Sequence, residues 1–200
     1  MGAGIPQVIT ETKASGAQVI DGSLKFDSSR SQYLQRTFAS GNRKTYTWSG
    51  WVKKTKFGDW YGSFLMRNDE LRINSGEKLS FNNSGVIDLV SSGTLDPNSF
   101  YHVVFKVDTT QSSGKIKGYI NGVEFLSGDA SFSTNDDTDL NDAAIHYIGN
   151  GTASRYADYY LSQVTFIDGQ ALGPEYFGFT DPLTNTWRPK KLNLSDVTSG

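Results

Sequence analysis

An all-β sandwich is what this sequence predicts: two antiparallel sheets in a jelly-roll arrangement, with about a dozen short strands and at most one short helix. Three observations carry the expectation. Aromatic residues make up 13% of the 200 residues, beside 21 Gly and only 2 Met, a filling that suits pleated sheets and tight turns, whereas helices draw on Ala, Leu, Glu and Met. Apolar and polar residues alternate with a period of two through several segments. Those segments are separated by Gly, Asn, Asp and Ser, including Asn121-Gly122, a dipeptide that accepts the positive φ angles of a type I′ hairpin turn.

In chain order the strand candidates begin with SLKF (23–26) and QYLQRT (32–37). In YTWSGWVK, Tyr46, Trp48, Gly50 and Val52 share one face and Thr47, Ser49, Trp51 and Lys53 the other. Trp48 and Trp51 therefore point opposite ways, one into the core and the other toward a second layer or a groove. GSFLMR (62–67), ELRIN (70–74), KLSFN (78–82) and VIDLV (86–90) follow as short runs between turn residues. YHVVFKVD has Tyr101, Val103, Phe105 and Val107 as its apolar set, and KIKGYINGVEF folds back on itself at Asn121-Gly122. After HYIG (146–149), YLSQVTFIDG sets Tyr160, Ser162, Val164 and Phe166 against Leu161, Gln163, Thr165 and Ile167, and stops at Asp168-Gly169. The helix candidate runs from Gly173 to Phe177, where Pro174 can open a single turn.

With 36% hydrophobic residues, 200 residues fill one sizeable core, and a chain of this length buries roughly 70% of its unfolded surface, so no staple is required. Zero Cys excludes disulfides, iron–sulfur clusters, thiol nucleophiles and Cys-type zinc sites. A net charge of −2 supplies no global field for a nucleic-acid backbone or an anionic membrane, and neither is expected as a partner. No segment approaches the roughly 18 consecutive apolar residues of a spanning helix. The opening MGAGIPQVIT lacks a basic region followed by an apolar run, and Pro6 stands where a myristoylation signal has Ser or Thr. Composition divides the chain into an N-terminal arm (1–21), a β domain (22–180) and a polar C-terminal tail or linker (181–200) carrying Pro182 and Pro189.

The ordered landmarks SLKFDSSRSQYLQRT, YTWSGWVKK, DPNSFYHVVFKVD, IKGYINGVEF, HYIGNG and YLSQVTFIDGQALGPEYFG together resemble the laminin-G-like branch of the concanavalin A-like lectin/glucanase jelly roll, from about Gly22 to Gly178. GNRKTYTWSGWVKK and FIDGQALGPEYFG further resemble domains of tailed-phage, particularly marine-phage, capsid or tail appendage proteins. The resemblance implies two curved sheets packed face to face with long rim loops. It leaves function open, because members bind sugars or proteins, often with calcium, or hydrolyse glucans.

The glucanases of this fold are similar to one another in a Glu-x-Asp-x(-x)-Glu strand, where alternate residues hold two carboxyls about 5 Å apart on one face. Here the residues two positions after Glu11, Glu70, Glu77, Glu124 and Glu175 are Lys13, Arg72, Leu79, Leu126 and Phe177, so the motif is absent. A Gly-x-Ser-x-Gly elbow and a phosphate-binding loop are also missing. His102 and His146 lie on predicted strands and read as structural. No catalytic residue is assigned, and the chain is read as a non-enzyme.

Binding residues are sought in the loops. Asp136, Asp137, Asp139 and Asp142, beside Asn135 and Asn141, form the most acidic stretch, and calcium, the one cofactor considered, takes about six to eight oxygens of this kind. The EF-hand register fails, since Asp142 stands where Gly is needed and Ile148 where Glu is needed. Family members often have acidic residues where this chain has Ser162 and Gln163, which weakens a calcium or glycan site borrowed from there. A pyranose offers an apolar C–H face and a polar edge, so aromatics beside carboxylates suit it. FGDWYG supplies Asp59, Trp60 and Tyr61; SRYADYY supplies Arg155, Tyr156, Asp158 and Tyr159. The basic run Arg43, Lys44, Lys53, Lys54 and Lys56 reads as a solvated strand face that also discourages edge-to-edge pairing.

The resemblance implies a virion protein, assembled in the host cytoplasm and present as a homo-oligomer or in many copies among other virion subunits. The expected function is non-enzymatic: a capsid decoration or tail appendage whose rim loops bind host-surface glycan or another ligand. The alternative is a purely structural protein whose arms and sheet faces pack on neighbouring subunits, and glycan hydrolysis stands third.

Overall fold

Alternation assigns side chains to faces, and strand pairing then decides which faces meet. A computed structural model describes residues 17–56, 58, 63–85, 87–97, 99–151 and 155–197. Its strands are β1 (Leu24–Phe26), β2 (Leu34–Thr37), β3 (Thr45–Lys54), β4 (Leu65–Met66), β5 (Glu70–Ile73), β6 (Leu79–Asn83), β7 (Ile87–Val90), β8 (Tyr101–Asp108), β9 (Ile116–Ile120), β10 (Val123–Gly128), β11 (Ile145–Ile148), β12 (Asn150–Gly151), β13 (Arg155–Tyr156), β14 (Tyr159–Asp168), β15 (Gly178–Thr180) and β16 (Trp187–Pro189). Twelve of them were each legible as an alternating or apolar run, whereas the two-residue and three-residue pieces β12, β13, β15 and β16 are too short to show a period.

Two six-stranded antiparallel sheets result, the first in the order β1-β14-β3-β8-β9-β10 and the second in the order β2-β11-β4-β5-β6-β7. The expected all-β sandwich is what forms. Among the described residues helical structure is confined to three-residue 3-10 turns, one of them the expected turn at Pro174–Tyr176. Asn121 (φ 48°) and Gly122 (φ 83°) make the anticipated positive-φ turn between β9 and β10.

The facing surfaces form one core. β3 contributes Tyr46, Trp48 and Val52, β8 contributes Val103, Phe105 and Val107, and the second sheet answers with Leu71, Ile73, Leu79 and Phe81. Trp48 stacks on Phe64 with ring centroids 5.1 Å apart. Each such fully buried side chain contributes roughly 1.5–3 kcal/mol.

β14 departs from simple alternation. Its pairing with β3 shifts between Ser162 and Thr165, and Gln163 takes φ 49°, so the strand carries a bulge. The extra residue turns the strand over. Leu161 lies opposite Val52 and Phe166 opposite Trp48, so the two share the inner face although strict alternation puts them on opposite ones.

A thinner layer covers the outer face of the first sheet. Val104, Ile167, Leu172 and Phe177 form a second buried cluster, backed by Tyr119, Tyr176, Leu192 and Val197. The segment after Asp181, read from composition as a tail, supplies β16 and places the Trp187 ring against His102, centroids 5.9 Å apart. Two glycines admit that ring: a Cβ would stand 2.3 Å from it at Gly122 and 2.4 Å at Gly178. Gln18, from the predicted arm, donates its backbone N–H to Pro189 O. The strands of this layer, β15 and β16, are three residues each, which is why no periodicity announced it.

Candidate functional site

The outer face of the second sheet collects the groups suited to a ligand. Leu65, Leu71 and Phe81 point into the core, so the residues alternating with them point away. Register sets Gln35 opposite Tyr147, Tyr147 opposite Met66, Met66 opposite Glu70 and Glu70 opposite Asn82, one row across five strands. Glu70, Arg72, Ser80 and Asn82 on this face are all buried. Burial of a carboxylate demands a partner. Glu70 accepts from the Ser63 hydroxyl at 3.0 Å and from the Arg72 guanidinium at 2.9 Å.

At the β2 end of the row stand three tyrosines. Tyr33 packs on Tyr147, centroids 5.9 Å apart, and stacks on Tyr156 at 6.0 Å with an interplanar angle of 28°. Tyr33 is 42% exposed and Tyr147 and Tyr156 are half-buried. Asp158 holds this arrangement together: its carboxylate accepts from the Ser28 N–H at 3.0 Å and the Ser28 hydroxyl at 2.5 Å, fixing the turn Ser28–Arg30 that leads into Tyr33. Asp158 is thus engaged by the fold. Arg155, half-buried on β13, pairs through its backbone with Gly151.

Of the residues expected to bind, Tyr156 lies at this patch, with Arg155 preceding it on β13, and Tyr33 and Tyr147 join Tyr156 through the pairing of β2 with β11, which no sequence signal announced. Tyr159 is a correction. It is buried in the core with Phe26 at 5.1 Å and Phe64 at 5.8 Å from its ring, and its hydroxyl donates to Ser63 O at 2.9 Å, so neither face is open to a sugar. Burial pushes its phenol well above the ordinary tyrosine range. Asp59, Trp60 and Tyr61 lie outside the described residues; beside them, Gly58 donates its N–H to Glu77 Oε1 at 2.8 Å.

The acidic stretch is a second correction. Its carboxylates turn to cations and donors of the protein instead of converging: Asp137 to Arg43 and Lys44, Asp139 to Arg43 at 3.3 Å and Asn68 at 2.9 Å, Asp142 to Arg67 at 3.2 Å, and Asp136 to the Ser133 N–H at 2.6 Å. Among the described residues no group of three or more His, Asp or Glu is placed to hold a metal, so the set does not fit calcium. The same contacts correct the reading of the basic run as a solvated face. Arg43 and Lys44 neutralise the acidic loop, and Lys54 is buried against Glu77.

The sequence matches the family model of the concanavalin A-like lectin/glucanases superfamily over residues 27–175. The chain belongs to this superfamily. No curated protein matches it. Among solved structures, this superfamily member is similar to a Bacteroides ovatus protein described as carbohydrate-binding, at 18% identity and TM-score 0.62, covering 78% of this chain and 45% of that one. It is also similar to domain 4 of AbnA, an extracellular arabinanase of Geobacillus stearothermophilus in complex with arabinotriose, at 21% identity and TM-score 0.53, covering 68% and 65%. It spans only 21% of the Trypanosoma rangeli sialidase chain it matches at 16% identity and TM-score 0.48. At these identities the likeness is one of fold.

Proposed function

We propose that this superfamily member is a non-catalytic glycan-binding module that engages a saccharide through Tyr33, Tyr147 and Tyr156. The observation that carries the reading is the tyrosine patch itself: Tyr33, 42% exposed, packs against both Tyr147 and Tyr156, which are themselves half-buried. Rings of this kind stack on the C–H face of a sugar while hydroxyls and amides meet its edge. Carbohydrate-binding descriptions among the structural neighbours are consistent with it. The non-catalytic part is supported by the glutamates. Glu70 is tied to Arg72, Glu77 to Lys54 and Glu124 to Lys117, which leaves none of these poised as a free acid or nucleophile.

The setting we propose is a phage particle, where repetition of the module turns weak single-site binding into avidity. The phage-like spelling of GNRKTYTWSGWVKK and FIDGQALGPEYFG supports that setting. An architectural role is the second reading, and one observation favours it: Leu24 and Leu34, on the edge strands β1 and β2, are each 50% exposed, which offers apolar surface to a neighbouring subunit.

A glycan array probed with the wild-type chain and with a Tyr33→Ala/Tyr156→Ala variant tests the first reading. Loss of signal with retained thermal stability supports it. An array blank for the wild type, with the chain sedimenting as an oligomer, replaces it with the second.

A further inference from the structure

The outer face of the first sheet holds a pocket that the tyrosine patch does not use. Trp51 points outward because its neighbours Gly50 and Val52 turn inward, and it lies opposite Ser162 on β14 and His102 on β8. The segment Ile20 to Ser23 runs alongside, tied down where the Ser162 hydroxyl donates to Gly22 O. Phe100, 44% exposed, forms another wall. The resulting cavity measures about 260 Å³ and is lined by Ile20, Asp21, Gly22, Ser23, Trp51, Phe100 and Ser162.

We infer that this pocket is a second saccharide subsite, taking a neutral pyranose with its C–H face on Trp51 and Phe100 and adjacent hydroxyls on Asp21 and Ser23. The inference deepens the glycan-binding reading and rests on it. Size fits: an apolar cavity of roughly 150 Å³ accommodates a benzene ring, so this one has room for a sugar ring. The chemistry fits as well. Among the described residues no hydrogen bond engages the side chain of Asp21 or Ser23, leaving a carboxylate that can accept from two neighbouring hydroxyls and a hydroxyl that can donate or accept. Lys53 Nζ already stands over the Phe100 ring, 5.8 Å from its centroid, which discourages a cationic ligand at that ring, while Asp21 discourages an anionic one. A neutral sugar remains.

The two sites occupy opposite outer faces of the sandwich, so one module would bridge two glycan chains. The test is an array of neutral and acidic glycans probed with the wild type, Phe100→Ala, Asp21→Asn and Tyr33→Ala/Tyr156→Ala chains. Phe100 and Asp21 are both exposed, so these substitutions leave the fold intact, which a melting curve confirms for each. The expected result is that Phe100→Ala and Asp21→Asn lower binding of a set of neutral glycans by about five-fold, the weight of one aromatic contact, while the double tyrosine variant keeps that set. Loss in the tyrosine variant with no change in Phe100→Ala and Asp21→Asn overturns the pocket alone. A wild-type chain that binds no glycan overturns both.

Discussion

Trp187 donates its indole N–H to Nδ1 of His102 at 3.1 Å, across the outer face of the first sheet. An indole N–H can only donate, so Nδ1 is an acceptor and the neutral ring carries its proton on Nε2, which meets the Ser49 hydroxyl at 2.9 Å. Every hydrogen-bonding position of the ring is filled, and filled in a way that works only while the ring is uncharged. This is what a structural histidine looks like, as the strand position suggested.

Acid should loosen this contact. Burial lowers the His102 pKa from 6.5 to about 4. The unfolded chain therefore takes up the proton first as pH falls, and the stability tied to neutral His102 is complete above pH 6.5 and is lost between 6.5 and about 4. The loss is on the order of 3 kcal/mol. Thermal melts at pH 7 and pH 4.5 check it: a His102→Gln chain, less stable at pH 7, should show a smaller acid-induced drop than the wild type.

The same ring explains two glycines. Gly178→Ala puts a Cβ 2.4 Å from the Trp187 indole, and the ring has no room to retreat between Gly122 and Gly178. Overpacking of this kind costs about 1–3 kcal/mol. The expected result is a lower melting temperature together with faster proteolysis of the C-terminal segment. An unchanged melt would mean that Trp187 does not pack as described.

How far the sequence revealed all this depends on the length of the signal. β3 and β8 were legible almost to the residue because Tyr46, Trp48 and Val52, and Val103, Phe105 and Val107, repeat often enough to show their period. β14 was legible as a strand, but its faces were not: the bulge at Gln163 is a single backbone event with no compositional mark. The candidate site was legible only in Tyr156. Tyr33, just ahead of β2, and Tyr147, on β11, are far apart in sequence, and they meet only because β2 pairs with β11. Tyr159 was misread because a strand-end aromatic beside Tyr160 looks the same in sequence whether it faces core or solvent.

Asp69 carries another charge-dependent prediction. Its carboxylate is buried, accepts from the Asp139 N–H at 2.7 Å, and shares the single proton of the Ser84 hydroxyl with Asp139. Burial raises its pKa above 3.8, so the native state holds the proton to higher pH than the unfolded chain, and this group's contribution to stability falls as pH rises through that window. Asp69→Asn keeps the acceptor for Asp139 and adds a donor for Ser84. It should stabilise the fold at pH 7 by about 1 kcal/mol, as when a buried polar group gains its partners. Urea denaturation at pH 7 and pH 4 reads the outcome, the advantage shrinking at the lower pH.

Two tyrosines separate binding from folding. The Tyr159 hydroxyl is spent on Ser63 O inside the core, so Tyr159→Phe removes one of that carbonyl's two donors, leaving the Gly149 N–H at 2.8 Å, and should cost about 1 kcal/mol of stability. It should leave glycan binding unchanged, because the ring still packs between Phe26 and Phe64. Tyr33 is the reverse case. Its ring is 42% exposed and contacts only Tyr147 and Tyr156 among described aromatic rings, so Tyr33→Ala removes little core packing. Loss of one stacking partner is worth about 0.5–1.5 kcal/mol, which should appear as a two- to ten-fold weaker glycan signal. Measured side by side by melting and by array, the two variants should move opposite readouts. If Tyr33→Ala melts early and binds normally, the patch belongs to the fold and not to a ligand.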